Sequence, residues 1–170
     1  MKWTTKNIAL CAVLTALALG LSTLESLFPV TLVIPLPGVK LGLANIVTVF
    51  ALYELGAVPA LTILTARCLL GGVFAGNLSA LLFSLLGGVT AMLVMIVLRR
   101  CRGLSVYGVS IGGAAAHNLG QMAAACITLG STMVLGYLPF LLAISLVTGT
   151  LTGFVAGLLF RAMRNIHLTH

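Results

Sequence analysis

Long apolar runs separated by short breaks dominate the pattern of this 170-residue chain. A membrane-spanning helix needs about 20 mostly apolar residues, with a range near 17 to 25. Proline marks several of the breaks, because it removes a hydrogen-bond donor and disfavours helix in the residue before it. The pattern predicts an all-α polytopic membrane protein, a single domain over residues 1–170, with six transmembrane helices at about residues 7–28, 40–55, 57–73, 77–98, 107–129 and 136–163.

Composition supports a membrane protein, since hydrophobic residues make up 61% of the chain and charged residues only 6%. A soluble domain would carry about 25% charged residues. The net charge of +7 does not indicate nucleic-acid binding, because most cations lie in short segments beside apolar runs. The positive-inside rule makes these segments cytoplasmic and places both termini on the cytoplasmic side of a bacterial cytoplasmic membrane. The residues concerned are Lys2, Lys6, Arg99, Arg100, Arg102 and Arg164.

The first twenty residues resemble a secretory signal peptide, with Lys2 and Lys6 ahead of an apolar stretch. The apolar run nevertheless continues to Phe28 and is long enough to span a bilayer. We therefore expect a retained helix.

Polar side chains are rare, and three of them, Lys40, Asn45 and Arg67, lie between Pro35 and Asn77. A charged side chain at bilayer depth costs roughly 2.5 to 3.5 kcal/mol, so it usually faces a cavity or a partner. A rise of about 1.5 Å per residue places polar groups from several helices in the middle or outer half of the membrane. The predicted cluster comprises Glu25, Lys40, Asn45, Arg67, Asn77, His117, Asn118 and Gln121.

Two interpretations of this cluster stay open. Two fixed cations against one acid would form a positive, outward-facing pocket for a small anionic molecule, because arginine offers a planar fork and lysine a point charge. Alternatively, Glu25 pairs with Lys40 or Arg67, and His117 bonds to a carbonyl, for structure alone.

Small residues predict where helices approach closely, since van der Waals contact drives helix association in lipid. Glycines and alanines in the fifth and sixth helices, including Gly149, Gly153 and Gly157, place these two at the centre of the bundle. Ala12 and Ala16 form a flat strip near the inner surface. The doublets Gly71–Gly72 and Gly87–Gly88 could open helix ends around a ligand or simply pack helices.

Catalysis is not expected. The chain has no aspartate, and its only acids are Glu25 and Glu54, which excludes aspartate-based magnesium sites. The four cysteines form no CxxC pair, and no nucleotide fingerprint occurs. The sequence therefore predicts no catalytic residue, no metal and no cofactor, and any ATP-driven work would need a partner.

Three sequence segments show a family resemblance: GVKLGLANI, TARCLLGGVFAGN and AAAHNLGQ, which begin at Gly38, Thr65 and Ala114. They resemble the bacterial membrane family called Gx transporter, also labelled heptaprenyl diphosphate synthase component I. The six-span pattern is more broadly similar to the substrate-binding S components of energy-coupling factor transporters.

The S-component resemblance implies a solute-binding subunit that docks on a transmembrane coupling protein driven by two ATPases. It assigns the docking surface to the small residues Ala12 and Ala16. The family label implies the alternative, a non-transporting membrane subunit of an isoprenoid, quinone or flavin-linked redox pathway.

Overall fold

The structure is a computed structural model that describes residues 5–27 and 42–167. All regular secondary structure in these ranges is helical, which confirms the predicted all-α class. A short 3-10 helix, Met133–Tyr137, precedes the last α-helix. The α-helices are α1 (Thr5–Leu27), α2 (Leu43–Glu54), α3 (Ala57–Ala75), α4 (Leu78–Arg99), α5 (Val106–Leu129) and α6 (Leu138–His167).

The helix boundaries agree with the sequence prediction to within a few residues. The largest differences are at α2, which begins at Leu43 rather than at residue 40, and at α6, which ends at His167 rather than at residue 163. Gly42 precedes α2 with φ +80, a left-handed conformation that glycine adopts without a steric penalty. Pro139 lies in the first turn of α6, where its missing N–H has no helical partner to lose.

Four of the described helical segments are long and apolar enough to cross a membrane: Thr5–Glu25, Ala57–Ala75, Leu78–Arg99 and Met133–Met163. Helix α2 has 12 residues, about 18 Å at 1.5 Å per residue, against a hydrocarbon thickness of about 30 Å. Helix α5 is long, but its centre carries His117, Asn118 and Gln121. The chain is a helical membrane protein.

The most completely buried helix is α2, which contacts α1, α3 and α6. Its residues Val49, Ala51 and Leu52 are at most 1% exposed. The sequence placed the fifth and sixth helices at the centre instead, and for α6 this is wrong. Its glycines face only α5, while bulky residues such as Val147 and Phe154 on its other side are exposed.

Close packing between α5 and α6 is confirmed. A Cβ atom added to Gly149 would lie 2.5 Å from the Cα of Ile111 and 3.0 Å from the backbone oxygen of Ser110. Contacts this short leave room only for glycine, so the two backbones touch directly.

Arg99 ties the end of α4 to the end of α2. Its guanidinium donates hydrogen bonds to the carbonyl oxygens of Leu52 and Tyr53, the latter over 3.2 Å. It also lies 5.0 Å from the centroid of the Tyr53 ring, which packs 5.5 Å from the ring of Phe160 on α6. A cation at a helix C-terminus complements the helix dipole. We call this side of the bundle the Arg99 end and the opposite side the Glu25 end.

Replacing Arg99 with methionine should lower the free energy of unfolding by about 1 to 2 kcal/mol, because the last carbonyls of α2 lose a charged donor. Thermal unfolding in detergent, followed by circular dichroism, measures the change. Arg102→Met is the matched control, since Arg102 is exposed and forms no hydrogen bond with the described residues. Equal effects of the two substitutions would show that the contacts to α2 contribute nothing.

Candidate functional site

A cavity of about 20 Å³ lies where α1 to α5 meet. Four of the predicted site residues line it: Glu25, Asn45, Arg67 and His117. A buried water needs roughly 10 to 15 Å³ of such volume, so this space holds about one water rather than an organic molecule. We call it the small cavity. The convergence of polar groups from several helices is thus observed, without room for a solute between them.

Glu25 holds the start of α2. The carboxylate is 8% exposed, and its Oε1 accepts a hydrogen bond from the backbone N–H of Gly42 over 2.8 Å. An acidic side chain at this position satisfies a donor ahead of the first helical turn and complements the positive end of the helix dipole. Glu25 therefore has a structural partner that the sequence prediction did not include.

Arg67 is a buried cation with few partners. It is 8% exposed, and its Nη2 donates to Oδ1 of Asn45 over 3.3 Å. Among the described residues its Nε has no hydrogen-bond partner, and it forms no ion pair with Glu25. Of the two ion pairs that the structural interpretation allows, the one between Glu25 and Arg67 is not formed, whereas Lys40 lies outside the described residues.

A groove of about 290 Å³ lies on the other side of Arg67, between α1, α3 and α4 at the Glu25 end. Arg67, Ser22 and Ser84 line both the groove and the small cavity. Arg67 is the only charged residue among the described residues that line the groove. The remaining lining residues are Leu19, Thr23, Cys68, Gly71, Gly72, Phe74, Ala75 and Ala80.

The two glycines that line the groove differ in what surrounds them. A Cβ on Gly71 would make only an ordinary contact, 3.5 Å from Cδ1 of Leu19, so this glycine leaves the groove open. A Cβ on Gly72 would lie 2.7 Å from Cβ of Leu81, so that glycine packs α3 against α4. The sequence left two interpretations of this doublet, open space for a ligand or helix packing. The first fits Gly71 and the second fits Gly72.

His117 and Gln121 lie side by side against α4. A Cβ on Gly87 would be 2.9 Å from both His117 Cε1 and Gln121 Cγ. Gln121 is 3% exposed, and its Nε2 has no hydrogen-bond partner in the described part of the chain. His117 lines the small cavity together with Arg67, whereas Gln121 does not line it.

Three predicted residues do not join this group. Asn77 is exposed and caps α4, because its Oδ1 accepts from the N–H groups of Ser79 and Ala80 over 2.9 and 3.3 Å. Asn118 donates from Nδ2 to the carbonyl of Leu141 over 2.8 Å, which joins α5 to α6. Lys40 lies outside the described residues.

The predicted docking strip lies on the outer surface of α1. Ala12 and Ala16 are exposed, whereas Leu14 and Ala18 on the opposite face are buried in the core. The two alanines therefore do not pack within the described bundle.

Ser22 and Ser84 are the lining residues that the sequence did not single out. Serine occurs throughout apolar helices, and neither residue stands in a recognisable motif, so only the three-dimensional structure selects them. The doublet Gly71–Gly72 did give a sequence signal for the groove.

A family model described as heptaprenyl diphosphate synthase component I matches residues 14–159. Searches of the curated proteins and of the solved structures give no match. The family match includes every described residue that lines the groove and the small cavity. Since it covers far more than half of the chain, this membrane protein belongs to the heptaprenyl diphosphate synthase component I family.

Proposed function

We propose that the chain is the solute-binding component of an energy-coupling factor type uptake transporter and takes up a small anionic molecule. Arg67 carries this proposal. A guanidinium that is more than nine-tenths buried, with one amide acceptor and no carboxylate partner among the described residues, is costly to keep unless it meets an anion. Arginine suits carboxylate and phosphate groups because its planar fork bonds two oxygens at once.

The site lies on the groove side of Arg67. Glu25 lines the small cavity but not the groove, and it is already bonded to Gly42. An anion in the groove would meet Arg67 with the hydroxyls of Ser22 and Ser84 nearby. Asn45 orients the guanidinium, and His117 lines the small cavity behind it.

In this proposal all six helices run from one side of the membrane to the other, so both termini lie in the cytoplasm. Lys6 at the start of α1, Arg99 at the end of α4 and Arg161 near the end of α6 all belong to the Arg99 end. The positive-inside rule makes that end cytoplasmic. The groove at the Glu25 end would then open toward the outside, as uptake requires.

The protein would bind and hand over its solute rather than transform it, since the chain has no aspartate with which to hold magnesium on a diphosphate. The transmembrane coupling protein and two ATPases would supply the energy. The family description favours a second candidate, a non-catalytic membrane subunit of an isoprenoid or redox pathway, because the word component implies an assembly.

Co-purification with a co-expressed energy-coupling module separates the two candidates. The tagged wild-type chain should recover the coupling protein and both ATPases. Ala12→Leu and Ala16→Leu should reduce that recovery, because close helix contact requires small residues on the exposed face of α1. Anion binding by both variants in detergent should be unchanged.

Ala123→Leu is the matched control, since Ala123 is also an exposed alanine but lies on α5. Failure of the wild-type chain to recover the module would exclude the transporter role and favour the pathway subunit. If Ala12→Leu and Ala16→Leu both recover the module as well as the wild-type chain does, Ala12 and Ala16 are not the docking surface.

A further inference from the structure

We infer that the ligand is an amphipathic anion, with its acidic group at Arg67 and a single apolar branch in the groove between α1, α3 and α4. This inference rests on the proposed anion site and adds the substrate class. The shared chemistry is an acidic head, phosphate or carboxylate, on one hydrocarbon branch. Such a molecule could be a diffusible solute or a membrane lipid.

The free volume on each side of Arg67 determines on which side a ligand fits. Around Arg67 the described residues leave about 20 Å³ on the side of Asn45 and His117, and about 290 Å³ on the side of the groove. Pockets for organic ligands begin near 300 Å³. A ligand that reaches the guanidinium therefore has room for its remaining atoms only in the groove.

Polar atoms are concentrated at one place in the groove. Arg67, Ser22 and Ser84 line both the groove and the small cavity, so they stand at the boundary between the two. The head group would lie there, because the guanidinium has one amide acceptor and no carboxylate partner among the described residues.

The rest of the groove is lined mainly by apolar or small residues. Leu19 and Ala75 contribute hydrocarbon, Gly71 contributes open space, and Phe74 stands at the exposed rim with 75% of its surface accessible. A second charged group would find no counterion among these lining residues. An apolar branch, by contrast, gains from leaving water.

Isothermal titration of the purified full-length protein tests the inference, in discs of phosphatidylcholine and with protein-free discs subtracted. The probes are inorganic phosphate, butyl phosphate, hexyl phosphate and hexanol. Each added methylene should raise wild-type affinity about fourfold, or about fifteenfold from butyl to hexyl phosphate. Hexanol should bind far more weakly than hexyl phosphate, because it lacks the charge.

Gly71→Leu should fill the groove and abolish the gain in affinity with chain length, so that hexyl phosphate binds no more tightly than butyl phosphate. Gly71→Ala, whose Cβ makes only an ordinary contact, should fold normally and lose part of the gain. Gly20→Leu is the control, because a Cβ on Gly20 meets nothing within 4 Å. Arg67→Gln should lose binding of all the phosphates.

If wild-type affinity requires Arg67 but does not rise with the chain length of the probe, this inference is wrong and the proposed anion site is still supported. Phosphate binding that is unaffected by Arg67→Gln would overturn the anion site itself. Discs containing lysophosphatidylglycerol, an anionic lipid with one acyl chain, identify the source: competition with hexyl phosphate indicates a membrane lipid, and its absence indicates a diffusible amphiphile.

Discussion

Replacing Arg67 with glutamine should lower affinity for hexyl phosphate at least about a hundredfold while leaving the melting temperature unchanged or higher. Loss of one partner of a buried charge pair typically costs 3 to 5 kcal/mol. Without ligand, however, the guanidinium is buried with only Asn45 as acceptor among the described residues. Removing it should therefore relieve a desolvation cost rather than break a stabilising contact. Titration and thermal unfolding of the same two proteins measure both effects.

Two further variants sharpen this test. Arg67→Lys should restore little affinity, because a point charge does not reproduce a two-pronged contact. Glu25→Gln should destabilise the protein by weakening the bond to Gly42, and adding Arg67→Gln should not reverse that loss. A double variant with both wild-type stability and wild-type affinity would show that the two charges form a structural pair and that the ligand binds elsewhere.

Replacing Gly120 with alanine should destabilise the protein by about 2 to 3 kcal/mol. The new Cβ would collide with the backbone oxygen of Leu86 and would lie 2.8 Å from the Cα of Gly87. Because both obstacles are backbone atoms, α4 and α5 would have to move apart, as in an overpacked core. His117 and Gln121 face α4 at this level, so phosphate affinity should also fall.

Gly112→Ala is the control for this prediction. Gly112 lies on the same helix, but the atom in the way there is the end of the Leu98 side chain, which can change rotamer. Alanine is the better helix former by about 1 kcal/mol, so this substitution should be nearly neutral. Equal unfolding free energies for the two variants would contradict the close α4–α5 contact as the cause.

The helices and the meeting of Glu25, Asn45, Arg67 and His117 could be predicted from sequence for one physical reason. In apolar segments of membrane length a polar side chain is costly, so its presence is informative, and helical rise gives its depth. Both signals are local. They do not depend on knowing which helices are neighbours.

The partners of these residues could not be predicted, because they depend on distances between helices. Asn118 bonds to a carbonyl of α6 rather than lining the cavity, since it points toward Leu141. The volume on each side of Arg67 likewise follows from how far α1, α3 and α4 stand apart. Asn77 did carry a readable signal, because asparagine just before an apolar helix is a preferred N-cap.

Helix α2 is held at both ends by side chains from other helices. Glu25 of α1 binds the backbone at Gly42, and Arg99 of α4 binds the carbonyls at Leu52 and Tyr53. Between these attachments, Asn45 holds Arg67. Because a three-turn helix does not stretch, a ligand that displaced Asn45 would also displace the Arg99 end of α2. Such coupling is reciprocal. If a protein bound at the Arg99 end changes the affinity for the ligand by some factor, the ligand changes the affinity for that protein by the same factor.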